Sequence, residues 1–170
     1  MKPGGPSWVK LPTTDHEIIE AALMTQQHDT TLPQEQDIRA AERIYHEWDE
    51  ALGAKDVEAA IALYAPDCRL ESPLVRHLLK SEEGVVVGRD KLRDFIRIVF
   101  DRTPPVRDRY RQGFFTDGRN LMWEYPRQKP DGEQMDFVEV MEIADGLIRR
   151  HCVYWGWFGV RLLEQNRYHR

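Results

Sequence analysis

Apolar positions between Thr31 and Pro66 recur at spacings of three and four. Pro33 suits a first helical turn, and Ile38, Ala41, Tyr45, Trp48 and Leu52 then form one stripe, which predicts a helix ended by Gly53. Asp56 is placed to cap a second helix carrying Val57, Ala60, Ile61 and Tyr64, which stops before Pro66. The period then falls to two. Cys68, Leu70 and Ser72 face one way and Arg69 and Glu71 the other, a short strand closed by Pro73. The run VRHLLK has room for one helical turn, and Val85 to Val87 for a short strand. Gly88-Arg89-Asp90 opens a third helix, with Leu92, Phe95, Ile96, Val99 and Phe100 turned inward and Pro104-Pro105 at its end.

Beyond that point the pattern is one of strands. Asp-Gly pairs at 117–118, 131–132 and 145–146 are fourteen residues apart, and Asp-Gly suits the positive-φ positions of tight hairpin turns. The spacing predicts four successive antiparallel strands, near Val106–Phe115, Arg119–Arg127, Glu133–Ile143 and Leu147–Phe158. The last two are apolar on both faces, except that Phe137, Val138, Val140 and Met141 surround one carboxylate, Glu139. Three helices followed by a meander make an α+β fold, with helices packed on one face of a curved, mostly antiparallel sheet. The other face would carry Val138, Val140, Cys152, Tyr154 and Gly156, too apolar to leave in water. A second copy pressing sheet to sheet is the simplest cover, so a homodimer is expected; the alternative is the N-terminal extension folded over it.

Composition narrows the class. The chain has 170 residues, 41% of them hydrophobic, enough for one domain with a real core plus an extension. The expected division is an extension at 1–30, with a short helix capped by Thr14, a domain at 31–163 and a tail at 164–170. The net charge of -5 supplies no basic face for nucleic acid. Neither a secretory signal nor an apolar run near the ~18 residues of a membrane span is visible, so a cytoplasmic protein is expected. Cys68 and Cys152 stand outside any CxxC motif, as free thiols in a reducing compartment would.

The order of elements carries a resemblance. A helix, a helix ending in LYAPDC, a strand ending in ESP, GRDKL opening a helix and a meander ending in HCVYW resemble the nuclear transport factor 2-like superfamily over residues 35–160. The SnoaL-like proteins and the ketosteroid isomerases belong to it. The resemblance implies a cone whose sheet wraps the first helix around a deep apolar pocket. On the ketosteroid isomerase pattern, the general-base Asp falls on Ser72 and the oxyanion-hole Tyr on Trp48. The protonated Asp of a VIDVM-like segment falls on Glu139 in FVEVM. Of two supporting Tyr, one is kept as Tyr64 and one falls on Ile96. With the base gone, isomerisation by the usual machinery is not expected. The SnoaL-like cyclases use an acid/base carboxylate inside the cone, a role open to Glu139.

Two readings of Glu139 stand side by side. Desolvated among Phe137, Met141 and Trp155, its carboxyl would donate to an oxyanion or shuttle a proton. Paired with an Arg on a neighbouring strand, Arg149 or Arg111, it would be structural. By the family's parity His151 lines the concave face with Val153 and Trp155; it either partners Glu139 in proton transfer or is a satisfied core histidine. Ser72 is a third candidate, for orienting a ligand. The aromatic set Tyr45, Trp48, Phe95, Trp123, Tyr125, Phe137 and Trp155, with Tyr64, Val99, Met141 and Val153, is expected to line the cavity or the core. The histidines show no HxH or HExxH spacing and no phosphate loop occurs, so neither a metal nor a cofactor is expected. The function expected is a small cofactor-independent isomerase, cyclase or dehydratase acting on a hydrophobic molecule. The alternative is a non-catalytic ligand-binding or protein-interaction module.

Overall fold

The computed structural model describes residues 35–102, 113–124, 127–128 and 134–167. The extension at 1–30, Pro104-Pro105, most of the strand expected from Val106 and the Asp-Gly pair at 131–132 lie outside these residues.

Helix α1 is Glu35–Ala54, and its buried stripe is Ala41, Ile44, Trp48 and Ala51. The expected stripe shares Ala41 and Trp48 with it but is centred too far round: Tyr45 and Leu52 pack on the flank, and Ile38 stays 38% exposed. The small Ala51, rather than the large Leu52, is what lets the helix approach its neighbours. The helix ends later than Gly53. Lys55 takes a left-handed φ of 56°, and its N–H donates to Leu52 while that of Asp56 donates to Ala51, the paired bonds of a Schellman motif. Asp56 then starts helix α2, Val57–Ala62, its carboxylate accepting from the Ala59 N–H at 3.0 Å.

Strand β1 is Tyr64–Glu71, four residues longer at its start than the sequence pattern suggests. Pro66 lacks an N–H and ought to break a strand. Here the ladder with the last strand is irregular between Tyr64 and Arg69, which accommodates it. Ser72 caps helix α3, Pro73–Leu79, with Pro73 in its first turn. Strand β2, Val85–Val87, and helix α4, Arg89–Arg102, follow as expected, the latter burying Leu92, Phe95, Ile96 and Phe100.

The meander comprises β3 (Phe115–Thr116), β4 (Asn120–Glu124), β7 (Phe137–Ala144) and β8 (Leu147–Trp155). A separate two-stranded ladder, β5 (Arg127–Gln128) with β6 (Gln134–Met135), lies between β4 and β7 in sequence. The main sheet has the order β2-β1-β8-β7-β4-β3, with only the β1–β8 pairing parallel. Asp145 and Gly146 turn β7 into β8 with φ of 54° and 70°, the two left-handed residues a tight hairpin of this hand requires. β8 stops at Trp155 rather than running to Phe158. Gly156 caps a further helix, α5 (Trp157–Glu164), where the expected strand runs to Phe158 and no helix is expected after it.

One irregularity decides which side chains face inward. Glu142 pairs with Arg150 but Ile143 with Ile148, so Arg149 is an extra residue in β8. The bulge reverses the pleat parity: Ile148 is inward before it, His151 after it, and Arg149 is pushed out. The helices cover the inner face, where Ile44, Trp48, Leu92, Trp123 and Met141 meet in one core. On the outer face Val138 and Val140 are half-buried, Tyr154 is 56% exposed and Cys152 is buried.

Candidate functional site

The inner face of β7 runs Phe137, Glu139, Met141, Ile143, all buried. His151 stands opposite Met141 on β8, and Glu139 opposite Val153, so the imidazole and the carboxylate are diagonal neighbours on one face. His151 Nε2 is in hydrogen-bond contact with Glu139 Oε2. On the other side of β8, the Tyr64 hydroxyl at the start of β1 lies 2.7 Å from His151 Nδ1. From α1, the Trp48 indole N–H donates to the Tyr64 hydroxyl at 3.3 Å. A helix and three strands thus bring together a continuous polar chain, Trp48–Tyr64–His151–Glu139, of which Tyr64, His151 and Glu139 are each 1% exposed.

Aromatic rings wall this chain. Trp123, opposite Glu139 on β4, meets Trp48 edge-on at 5.3 Å, and Trp48 meets His151 edge-on at 6.0 Å. Tyr45 extends the wall, edge-on to Trp123 at 5.4 Å, with its hydroxyl accepting from the Gly113 N–H. Burial pushes the Tyr64 phenol well above its ordinary pKa; the Trp48 hydrogen bond pulls the other way, and the negative Glu139 adds to the rise. Burial likewise raises the nearby Cys68 thiol.

Of the two Arg residues expected beside Glu139, Arg149 is the one the structure describes, and it points away. Arg149, ejected by the bulge, pairs at the surface with Asp67 and Asp145, and Arg111 lies outside the described residues. Ser72 does not join the polar chain. Its hydroxyl accepts from the Leu74 N–H at 3.2 Å as the cap of α3. With Glu71, Arg76, Glu83, Val153 and Trp155 it lines a separate open cleft of about 360 Å³ at the end of β8. Phe95 is buried and Val99 half-buried on α4; Phe137 is buried and meets Trp155 edge-on at 4.7 Å. Tyr125 lies outside the described residues. Tyr64 is expected at the pocket wall, and its bond to His151 is an addition from the structure. The distance of 87 residues between them leaves no local signal, and only the β1–β8 pairing reveals it.

Among the described residues, no three His, Cys, Asp or Glu side chains converge to hold a metal ion, and no helix is long and apolar enough to cross a membrane. Both cysteines are free and buried.

Solved structures share the fold. A nuclear transport factor 2-like protein of unknown function from Burkholderia pseudomallei is 21% identical with a TM-score of 0.59, over 73% of this chain and 97% of that one. A SnoaL-like protein of unknown function from Burkholderia thailandensis is 16% identical with a TM-score of 0.57, over 69% and 96%. A ketosteroid isomerase-like protein from Kribbella flavida is 21% identical with a TM-score of 0.53, over 69% and 78%. None of the curated proteins matches. The family model of the SnoaL-like domain matches residues 41–151, from the first buried residue of α1 to the histidine of the polar chain, and the chain belongs to that family.

Proposed function

We propose that this domain is a small cofactor-independent enzyme that binds a hydrophobic molecule against the concave face of the sheet and moves a proton with the Glu139–His151 pair. Isomerase, cyclase or dehydratase-like chemistry follows from that pair. One observation carries the reading: two titratable side chains in direct hydrogen-bond contact inside an aromatic wall, where a hydrophobic substrate would meet them without bulk water. Trp48, Tyr45, Trp123 and Met141 would shape the site, and Ser72 is better suited to capping α3 than to chemistry.

A second reading has its own support. Every polar atom of Tyr64 and His151 already has a partner and both side chains are sealed, as befits a structural core network in a non-catalytic binding module.

Glu139→Gln separates the two, because the amide keeps an acceptor for the imidazole but holds no proton to give or take. The assay is solvent-deuterium exchange at the activated carbon of a panel of hydrophobic ketones, followed by NMR. Glu139→Gln should lower exchange by about 10²-fold or more, the usual share of a positioned acid or base. Unchanged turnover and unchanged ligand affinity in this variant would sink the catalytic reading at its centre. Binding weakened by Trp48→Ala, with no exchange in any form of the protein, would establish the binding module instead.

A further inference from the structure

We propose that Tyr64 is a positioning residue that fixes the tautomer of His151 and so leaves Glu139 as the proton acceptor of the site. The inference deepens the proposed function, which it needs only for its catalytic meaning; the tautomer itself follows from counting protons.

The count starts at Trp48. An indole N–H donates and never accepts, so the Tyr64 oxygen is the acceptor of that bond. Tyr64 still has a proton of its own to place. At 1% exposure it has no bulk water to give it to, and its remaining polar contact is His151 Nδ1 at 2.7 Å. A buried hydroxyl proton without an acceptor costs the desolvation of that group. The phenol therefore donates to Nδ1, and Nδ1 is bare. A neutral imidazole then carries its one proton on Nε2, the atom against Glu139 Oε2. The protons along the chain all point the same way, from Trp48 through Tyr64 and His151 to Glu139.

The opposite arrangement fails the count. An imidazolium would donate from Nδ1 into a phenol oxygen that already accepts from Trp48. The phenol proton would then be turned away from both of its partners.

The consequence is a choice between two roles for Glu139. An ionised carboxylate that receives the Nε2–H carries no proton of its own, and is placed to take one rather than to donate one to an oxyanion. With a carbon acid as substrate, the C–H proton passes to the carboxylate and the electron pair stays on the substrate as an enolate. Return of that proton to a different carbon completes an isomerisation with no other reactant. Nε2–H steadies the carboxylate throughout, as an orienting partner does in other acid–base pairs.

The test is two-dimensional ¹⁵N–¹H NMR of the full chain with ¹⁵N-labelled histidine at neutral pH. The sequence has 6 histidines, and His151 is identified as the signal set missing from His151→Gln. The wild-type spectrum should show a protonated Nε2 and a bare, hydrogen-bonded Nδ1. In Tyr64→Phe this single tautomer should be lost, with the Nδ1 shift moving toward the exchange average. A wild-type imidazole protonated on Nδ1, or on both nitrogens, overturns the inference without any variant having to fold. So does an unchanged tautomer in Tyr64→Phe. A purely structural Tyr64 would change stability but not this spectrum. Absence of turnover would count against the proposed function and leave the tautomer standing. Turnover lost in Glu139→Gln beside the wrong tautomer would sink only the role given to Tyr64.

Discussion

Tyr64 has the most consequential position of any single residue, because it joins the first helix, the first strand and the last through one hydroxyl. Its burial also makes stability depend on alkaline pH in a defined direction. The phenol's ordinary value is 10.0 and the fold raises it, chiefly by desolvation. Above about pH 10 the unfolded chain releases a proton that the folded chain keeps, so the folded state binds more protons and stability falls as pH rises. The contribution is complete below the unfolded value and is lost progressively above it, by at most about 1.4 kcal/mol per pH unit for one group. Urea denaturation of the wild type and of Tyr64→Phe, at a series of values from about pH 8 to 11, isolates the effect. The wild type should lead at neutral pH and the gap should narrow through the alkaline range. The thiols of Cys68 and Cys152, also raised by burial, are present in both proteins and cancel. A gap that is flat with pH would mean that Tyr64 ionises in the fold as it does in water.

At the scale of elements, helix α5 offers a prediction whose sign is informative. Gly159 lies buried in its first turn. In an exposed helix, Gly→Ala gains up to about 1 kcal/mol. Here an added methyl would come within 2.8 Å of the Trp155 indole, a ring held against Phe137. Gly159→Ala should therefore destabilise, by about 1–3 kcal/mol for an overpacked contact, in a urea titration. Stabilisation would show that Trp155 moves aside freely. This helix also marks where sequence reasoning stops. α1, α4 and the 145–146 hairpin were legible because each has a clean period or a turn pair. WFGVRLLE has neither: its aromatic start continues the apolar run of β8, and a short apolar stretch carries no period that separates strand from helix. Pro66 misled in the other direction, since a strand tolerates it where the ladder is irregular. Glu139 was legible as an isolated acid in an apolar strand. Its partner was open between an Arg and His151, because in a regular strand Arg149 and His151 share a face; the bulge turns Arg149 out and leaves His151 in, and nothing in LIRRHCV announces it.

At the scale of the whole molecule the outer face of the sheet still needs an account, and we propose that a second copy of the chain covers it. Register aligns Phe115, Met122, Val140 and Cys152 in one row across β3, β4, β7 and β8, with Val138 and Tyr154 in the next. Phe115 is 75% exposed, Tyr154 56% and Met122 42%, so the row presents apolar surface to whatever lies on it. Its rim carries both signs of charge, with Arg150 on Glu142 at 2.7 Å and Arg69 near Glu71. A twofold axis through the apolar row would set such a rim against its own copy with Arg facing Glu, a match that a partner of one charge would lack. Light scattering behind size exclusion should give twice the chain mass at micromolar concentration. The pair Met122→Glu and Tyr154→Glu should give the single-chain mass with an unchanged far-ultraviolet spectrum, since neither side chain reaches the core. A wild type that stays at the single-chain mass even at tens of micromolar would leave this face to a different occupant.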